Sequence, residues 1–411
     1  MTELETLIST LAPALQAAFL AAIARLRAGV NYALLLEALR KGDIDAAIYA
    51  LNIEPAVFGG YVQERVAAFA TAGDVVSADL TRDRAKAVRV ALRQSTSQVA
   101  LAVPRFGFGF PEPVASVLPT LSPAPPPVIG NPITSPVIPP PPPGAPPTLT
   151  APGGGSITFR FDMTNPRAEN RIRTEAAARV AGYTAEQKDI ARRVIADGFA
   201  RGEGPQTIAT DIAGRIDPVS KRREGGIIGL SDPQVEYVRS MKERLESGDP
   251  AELKKVLGTA KGGGMTLRDK RYDATIRKAI KEGKPVPAAK IKEMTAKYSD
   301  RLLKRRAEDI ARTETASGVE MARAEATRQA LEKAGLPDGA VTKRWIHSGG
   351  VEHARIPHLV MHDVEVTGID TPFILPDGSV MQFPHDPEGG ARNNVSCRCR
   401  GEQDIDWSYG L

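Results

Sequence analysis

Between Pro104 and Pro152 the chain carries 18 of its 33 prolines, with Pro139 to Pro143 in an unbroken run and only Arg105 and Glu112 as charges. Proline fixes φ and has no amide hydrogen, so this stretch cannot supply the backbone donors of a helix or a sheet. It reads as a polyproline II spacer ending in the flexible Gly153-Gly154-Gly155. At ~3.1 Å per residue it could hold flanking domains on the order of 100 Å apart, and a passive tether fits it better than an SH3-type ligand. The folded parts are therefore expected on either side of it.

A chain of 411 residues exceeds one ordinary core, and its 42% hydrophobic and 25% charged residues are those of a globular protein. The expected division is a helical N-terminal domain at 1–103, a Pro/Gly-rich linker at 104–156, a helical, basic middle region at 157–335, and a compact α+β part at 336–411. The fold class is α+β, mostly helical, with a small C-terminal domain built around a β-hairpin. No apolar run reaches the roughly 18 residues of a membrane span, because Pro13 to Ala28 carries Gln16, Arg25 and Arg27. Glu3 and Glu5 stand where a signal peptide has basic residues, so synthesis in the cytoplasm and no membrane span are expected.

The net charge of +5 is unevenly placed. Lys and Arg against Asp and Glu count 10 to 10 over residues 1–103, 33 to 23 over 153–310, and 10 to 15 over 311–411. Interspersed charges of this density usually decorate solvated helices, but a basic middle also offers a face to nucleic acid.

Helical spacing runs through Leu11, Leu15, Phe19 and Ile23, then Leu34, Leu35 and Leu39, then Val62, Val66 and Phe69. A short strand is expected at Ile157 to Phe161, and helices over Thr184 to Arg215 and Pro233 to Lys255. Gly262-Gly263-Gly264 interrupts the pattern; Lys261 precedes the glycines and no Gly-Lys-Ser/Thr follows, which excludes a P-loop. From near Pro287, and with little interruption from Leu302, a helix runs to Ala334, where Gly335 and Pro337 stop it. One face reads Leu303, Ala307, Ile310, Ala311, Thr315, Val319, Ala322, Ala326 and Ala330, small enough for close packing. Beyond Asp338 the period shifts to strand at Val341 to Ile346 and Val364 to Val366, and a hairpin turns at Pro376-Asp377-Gly378 between Phe373-Ile374-Leu375 and Val380 to Phe383.

All five histidines and both cysteines fall in the last 65 residues: His347, His353, His358, His362, His385, Cys397 and Cys399. Thiolate and imidazole together are favoured zinc ligands in closed tetrahedral sites. A Cys-x-Cys disulfide would be strained, so reduced thiols are expected. Cys397 and Cys399 can share one ion, with His385 brought near by the hairpin and His358 or His353 completing the shell. The plainer reading makes both cysteines small core residues.

These residues resemble the Mu F-like head morphogenesis family of tailed phages. Ala311-Arg312-Thr313-Glu314-Thr315 on a helix, a strand with Trp345, Arg355-Ile356-Pro357-His358, a hairpin, and Cys397-Arg398-Cys399 occur in the family's order. The resemblance covers about Thr184 to Arg400 and is strongest after Arg305. Ser396 stands where the family tends to have Asn, Glu352 is what remains of an acidic pair before Arg355, and residues 219–300 look like an insertion. The resemblance implies a minor head protein at the portal vertex of the virion, assembled in the host cytoplasm. It would act in capsid assembly, DNA packaging or ejection beside the portal protein and the major capsid or scaffolding protein. Non-specific contact with phage DNA would fall to Lys221, Arg222, Arg223, Arg268, Lys270, Arg271, Lys304, Arg305 and Arg306. Few aromatics, 5%, argue against a base-stacking platform.

No enzymatic role and no catalytic residues are expected. The runner-up is a metal-dependent nuclease using the histidines with Asp386, Asn393 and Asn394, although thiolates favour closed structural sites over hydrolytic ones. A phage-delivered effector using Arg312 and Glu314 is less economical, because residues two apart on a helix face different directions. Glu308 to Arg312 as an i,i+4 pair, and Glu314 bonded to a neighbouring loop, account for them more simply; the residues from Gly401 onward are also too few for an effector domain.

Overall fold

The computed structural model describes residues 3–101, 158–258, 264–348 and 354–409. The chain is a mostly helical α+β protein with small antiparallel sheets toward its C-terminal end. It forms two compact units, one of Met1–Ser77 with Phe161–Leu411 and one of Ala78–Arg160.

In the larger unit, α1 (Glu3–Gly29) is followed by α2 (Tyr32–Lys41), α3 (Ile44–Ala50) and the start of α4 (Gly59–Leu101). Asn31 and Asp43 cap α2 and α3 by accepting from the amides of Leu34 and Ala46, and Gly42 ends α2 in the left-handed region. Next come α5 (Pro166–Ala200), α6 (Pro205–Ala213), a two-stranded ribbon β1 (Arg215–Ile216) and β2 (Arg223–Glu224), α7 (Asp232–Ser247), α8 (Pro250–Leu257) and α9 (Asp273–Glu282). Ser231 and Gln234 close a capping box at α7, and Pro250 opens α8 at a position whose amide would be unpaired anyway. The helical spacing expected over Thr184 to Arg215 is thus divided between α5 and α6.

The 47-residue α10 (Ala288–Ala334) starts after Pro287 and stops at Gly335, φ 68. Leu15, Phe19, Ile23 and Leu26 of α1 share one core with Leu302, Leu303, Ala307 and Ala311 of α10 and with Ile190, Ile195 and Ile212 of α5 and α6. At its centre Phe19, Phe58, Tyr61 and Tyr183 pack ring on ring, with centroids 5.6 to 6.3 Å apart. Residues 1–77 and 161–335 are therefore not separate domains held apart by a spacer: neither set of helices covers its apolar stripe alone, and each is the other's cover. Residues 104–156 lie outside the described residues. The helices within 219–300, read as an insertion, contribute Val235, Met241, Leu245 and Ile276 to the same core.

By length and apolar composition, Glu5–Gly29 is long enough to cross a membrane, which the count of polar residues in Pro13 to Ala28 did not anticipate. In this fold its Leu15, Phe19 and Ile23 side is buried.

Among the described residues no strand forms at 158–161. Phe161 instead packs edge-on against Phe69 at 5.4 Å and lies over Gly73 of α4, where any Cβ would overlap its ring. In the smaller unit, the amide of Phe159 donates to Thr81 Oγ1 at 2.9 Å, and Arg84 lies over the Phe159 ring.

After α10 the chain forms β3 (Val341–Ile346), α11 (Ile356–Val360), β4 (Glu365–Thr367), β5 (Phe373–Ile374), β6 (Val380–Met381), α12 (Gly390–Asn394) and β7 (Arg400–Ile405). The sheet order is β4-β3-β7, antiparallel throughout, with Trp345 opposite Gly401. The β5-β6 hairpin turns at Pro376-Asp377-Gly378, where Gly378 has φ 80. Trp345, Met361, Phe373, Leu375, Met381, Cys397 and Cys399 make a separate small core.

Candidate metal centre

Strand alternation turns Val341, Lys343 and Trp345 of β3 inward. Trp345 is fully buried and meets Phe373 and His358 edge-on, at 5.5 and 5.6 Å. His358 comes from α11, a single turn opened by Pro357 and pinned by Arg355, whose guanidinium donates to the carbonyls of Arg392 (2.7 Å) and Val395 (2.6 Å). The motif arginine thus fastens the His358 turn to the segment that leads into the cysteines. Ser396 takes a left-handed turn, φ 57, that aims the following Cys397 into the core.

There the donor atoms converge. Cys397 Sγ lies 3.4 Å from His358 Nδ1, and Cys399 Sγ lies 3.6 Å from the same nitrogen. All three residues are buried, and their ligand atoms lie within 4.8 Å of one another, so the group could bind a metal ion. His347, two residues beyond Trp345, brings its Nδ1 to 3.5 Å from Cys399 Sγ. Its backbone is steadied by donating its amide hydrogen to His362 Nδ1.

The outer nitrogen of His358 settles the tautomer. Its Nε2 lies 3.2 Å from Asn393 Oδ1, and the amide of Asn393 is oriented because its Nδ2 donates to Ser379 Oγ (2.9 Å) and the Gly389 carbonyl (3.2 Å). The proton therefore sits on Nε2, and Nδ1 presents a lone pair to two sulfurs, as a metal-ligating imidazole does. The contact with Cys399 pulls the Cys397 thiol down, while the same contact and burial push the Cys399 thiol up.

One expected ligand falls elsewhere. His385 is buried in a left-handed turn, φ 67, with Nε2 3.1 Å from the Cys399 carbonyl oxygen, so it holds backbone and not the sulfurs. His353 lies outside the described residues. His347, just past the end of β3 and two residues after Trp345, was not expected beside Cys399, although that position was a usable signal. Asp386, Asn393 and Asn394, considered for nuclease chemistry, are buried and engaged locally: Asp386 accepts from the Gln382 and Glu388 amides, and Asn394 donates to the Asp386 carbonyl.

The Arg-Thr-Glu segment sits where α10 is covered on nearly every side. Arg312 pairs with Glu5 of α1 at 2.8 Å and not with Glu308, which faces Arg305. Thr313 Oγ1 accepts from the Ser396 amide at 3.4 Å. Glu314 pairs with Arg65 of α4 and, at 3.3 Å, Arg179 of α5, helices where a loop was expected. Buried beside that carboxylate, Tyr61 is pushed up to about 12 by desolvation and then by Glu314. Six residues on, the fully buried Glu320 accepts from the Gly401 amide at 2.9 Å, and burial raises its carboxyl.

Five of the nine proposed phosphate contacts are engaged elsewhere. Arg268 pairs with Asp273, Arg271 with Asp269, Arg305 with Asp309 and Arg306 with Glu186, while Arg223 lies over the Tyr32 ring. Lys221, Arg222, Lys270 and Lys304 are exposed. Comparison with protein families, curated proteins and solved structures found no match.

Proposed function

We propose that this chain is a minor head protein of a tailed phage, of the Mu F-like head morphogenesis family. It would act at the portal vertex, beside the portal protein and the major capsid or scaffolding protein, in capsid assembly, DNA packaging or ejection. What supports this reading is that motifs scattered over 88 positions, from Arg312 to Cys399, meet in space. Thr313 touches the turn at Ser396, Arg355 anchors that same segment, and Trp345 packs on His358 against the two cysteines. Such a set of clamps has a structural purpose: it joins the last sheet to the long helix.

In the same reading the ion is zinc, held by Cys397, Cys399, His358 and His347. Two thiolates and two imidazoles suit a closed tetrahedral site, and bound zinc would stabilise a small core with few strands.

The test is proteomic and genetic. Tailed particles induced from a host that carries this gene should contain the chain in the head fraction, and deleting the gene should leave non-infectious or DNA-poor heads. Infectious particles of normal DNA content without it would sink the reading.

A further inference from the structure

Two depressions in the helical body differ in charge logic. One, a cavity of about 340 Å³ between α5, α6, α7 and α10, has more carboxylates than cations in its lining, with Lys242 placed 2.7 Å from Asp211 and 3.2 Å from Glu203. The other is an open groove of about 860 Å³ lined by α7, α8, the loop before α9, and α10. Its charged lining is Arg244, Lys254 and Lys255, with no carboxylate among the lining residues. Glu252, at its edge, pairs with both Arg244 (3.5 Å) and Lys255, which leaves a surplus of two cations.

The groove also carries aromatic and apolar surface. Tyr237 is 52% exposed, while Met265 and Leu302 are buried beneath. Tyr298 is only 5% exposed, yet its side chain lines the groove and makes no hydrogen bond among the described residues. Burial raises its phenol, with Tyr237 and Arg244 as its neighbours. A ligand that satisfies all of this needs repeated negative charge, a flat face for Tyr237 and an acceptor for the Tyr298 hydroxyl. Unpaired nucleotides have all three, whereas a duplex keeps its base faces stacked away from side chains.

We infer that this groove binds single-stranded DNA, with the Tyr237 ring stacking on one base, a single stack and not the platform that the low aromatic content argues against, and Arg244, Lys254 and Lys255 meeting phosphates. The inference deepens the head-protein reading by naming where the chain touches DNA, at residues other than the nine basic positions considered from sequence.

The experiment is fluorescence anisotropy of a fluorescein-labelled oligo-dT with the full chain over a salt series. Tyr237→Ala should weaken binding ~5- to 150-fold, the range for one base stacked on one aromatic ring, and Tyr237→Trp should restore it. The Lys254→Gln, Lys255→Gln double variant should flatten the salt slope by about 1.4, two phosphates at about 0.7 each. All three residues are exposed, so unchanged melting temperatures would show that the fold is intact. Wild-type binding that none of these variants alters would overturn the groove while leaving DNA contact elsewhere. Tighter binding of a duplex of equal length would overturn the stacking role, and displacement of the oligonucleotide by equimolar inorganic phosphate would reduce the groove to a small-anion site. No binding at low salt would end both this inference and the DNA contact of the head-protein reading.

Discussion

Asn393 Oδ1 lies 3.2 Å from His358 Nε2, and this contact decides which nitrogen of the imidazole faces the cysteines. Outer partners of this kind orient metal ligands and raise their basicity, and removing them typically costs 10- to 100-fold in metal affinity. Asn393→Ala should therefore lower zinc affinity of the full chain by about that factor in a competition against a chromophoric chelator. His347→Ala should do so as well if it is the fourth ligand. An affinity unchanged in both variants would take His347 out of the shell and Asn393 out of its support, and no zinc bound to the unaltered chain would return the cysteines to an ordinary apolar core.

The Arg65 and Glu314 pair makes a second, separable prediction. Each side chain is almost fully buried, so removing one leaves the other charge in a poor solvent, at a cost of about 3–5 kcal/mol. Glu314→Leu should lower the denaturant midpoint strongly. The double variant Arg65→Met, Glu314→Leu should recover much of the loss, because Glu175 and Arg179 still neutralise each other at 2.9 Å. A double variant as unstable as the sum of the singles would mean that packing, not charge, governs this junction.

Lys343 provides the pH dependence. It is buried on β3, donates to the Ile369 carbonyl at 2.9 Å and the Gln382 carbonyl at 3.1 Å, and burial lowers its ammonium to about 8. In the unfolded chain the lysine holds its proton to about 10.4, so between about pH 8 and 10 the unfolded state binds more protons and stability from this group rises with pH. Below 8 the contribution is level and unfavourable. Chemical denaturation across pH 7.5 to 10 should show this upward component in the native protein and not in Lys343→Met. Parallel curves for the two proteins would show that the ammonium is not held in the folded state as described.

Gly73→Ala tests the close approach of Phe161. In a helix interior the substitution ordinarily stabilises by up to about 1 kcal/mol. Here the new methyl group would overlap the Phe161 ring, so the expected sign is reversed, with a loss of about 1–3 kcal/mol from overpacking. Gly73→Ala combined with Phe161→Leu should be less unstable than Gly73→Ala alone. A stabilised single variant would show that the ring is free to move aside.

Much of the architecture was legible in local signals. Gly335 and Pro337 stop α10, alternation from Val341 to Trp345 marks β3, and Pro376-Asp377-Gly378 marks the hairpin, because each is set by residues within a few positions of one another. The cluster of His358, Cys397 and Cys399 was legible from ligand chemistry. What local patterns do not carry is pairing across distance. Arg65 and Glu314 are 249 positions apart, Arg312 and Glu5 are 307 apart, and nothing in either neighbourhood names the other. His385 and His347 show the same limit within one domain: both are near the cysteines, and only the left-handed turn at His385 directs its ring to a carbonyl and leaves the place beside Cys399 Sγ to His347.

The hydrogen bond from Phe159 to Thr81 ties together the two flanks of the proline-rich stretch, and the helices before it and after it complete a single core. Covalent continuity through that stretch is then dispensable to the core. Doubling its length costs only about 0.6 kcal/mol in loop closure, and severing it turns one chain into two complementary pieces. Residues 1–103 and 157–411 produced separately should each be poorly soluble alone and combine on mixing into a stable heterodimer, since each supplies the apolar face the other needs.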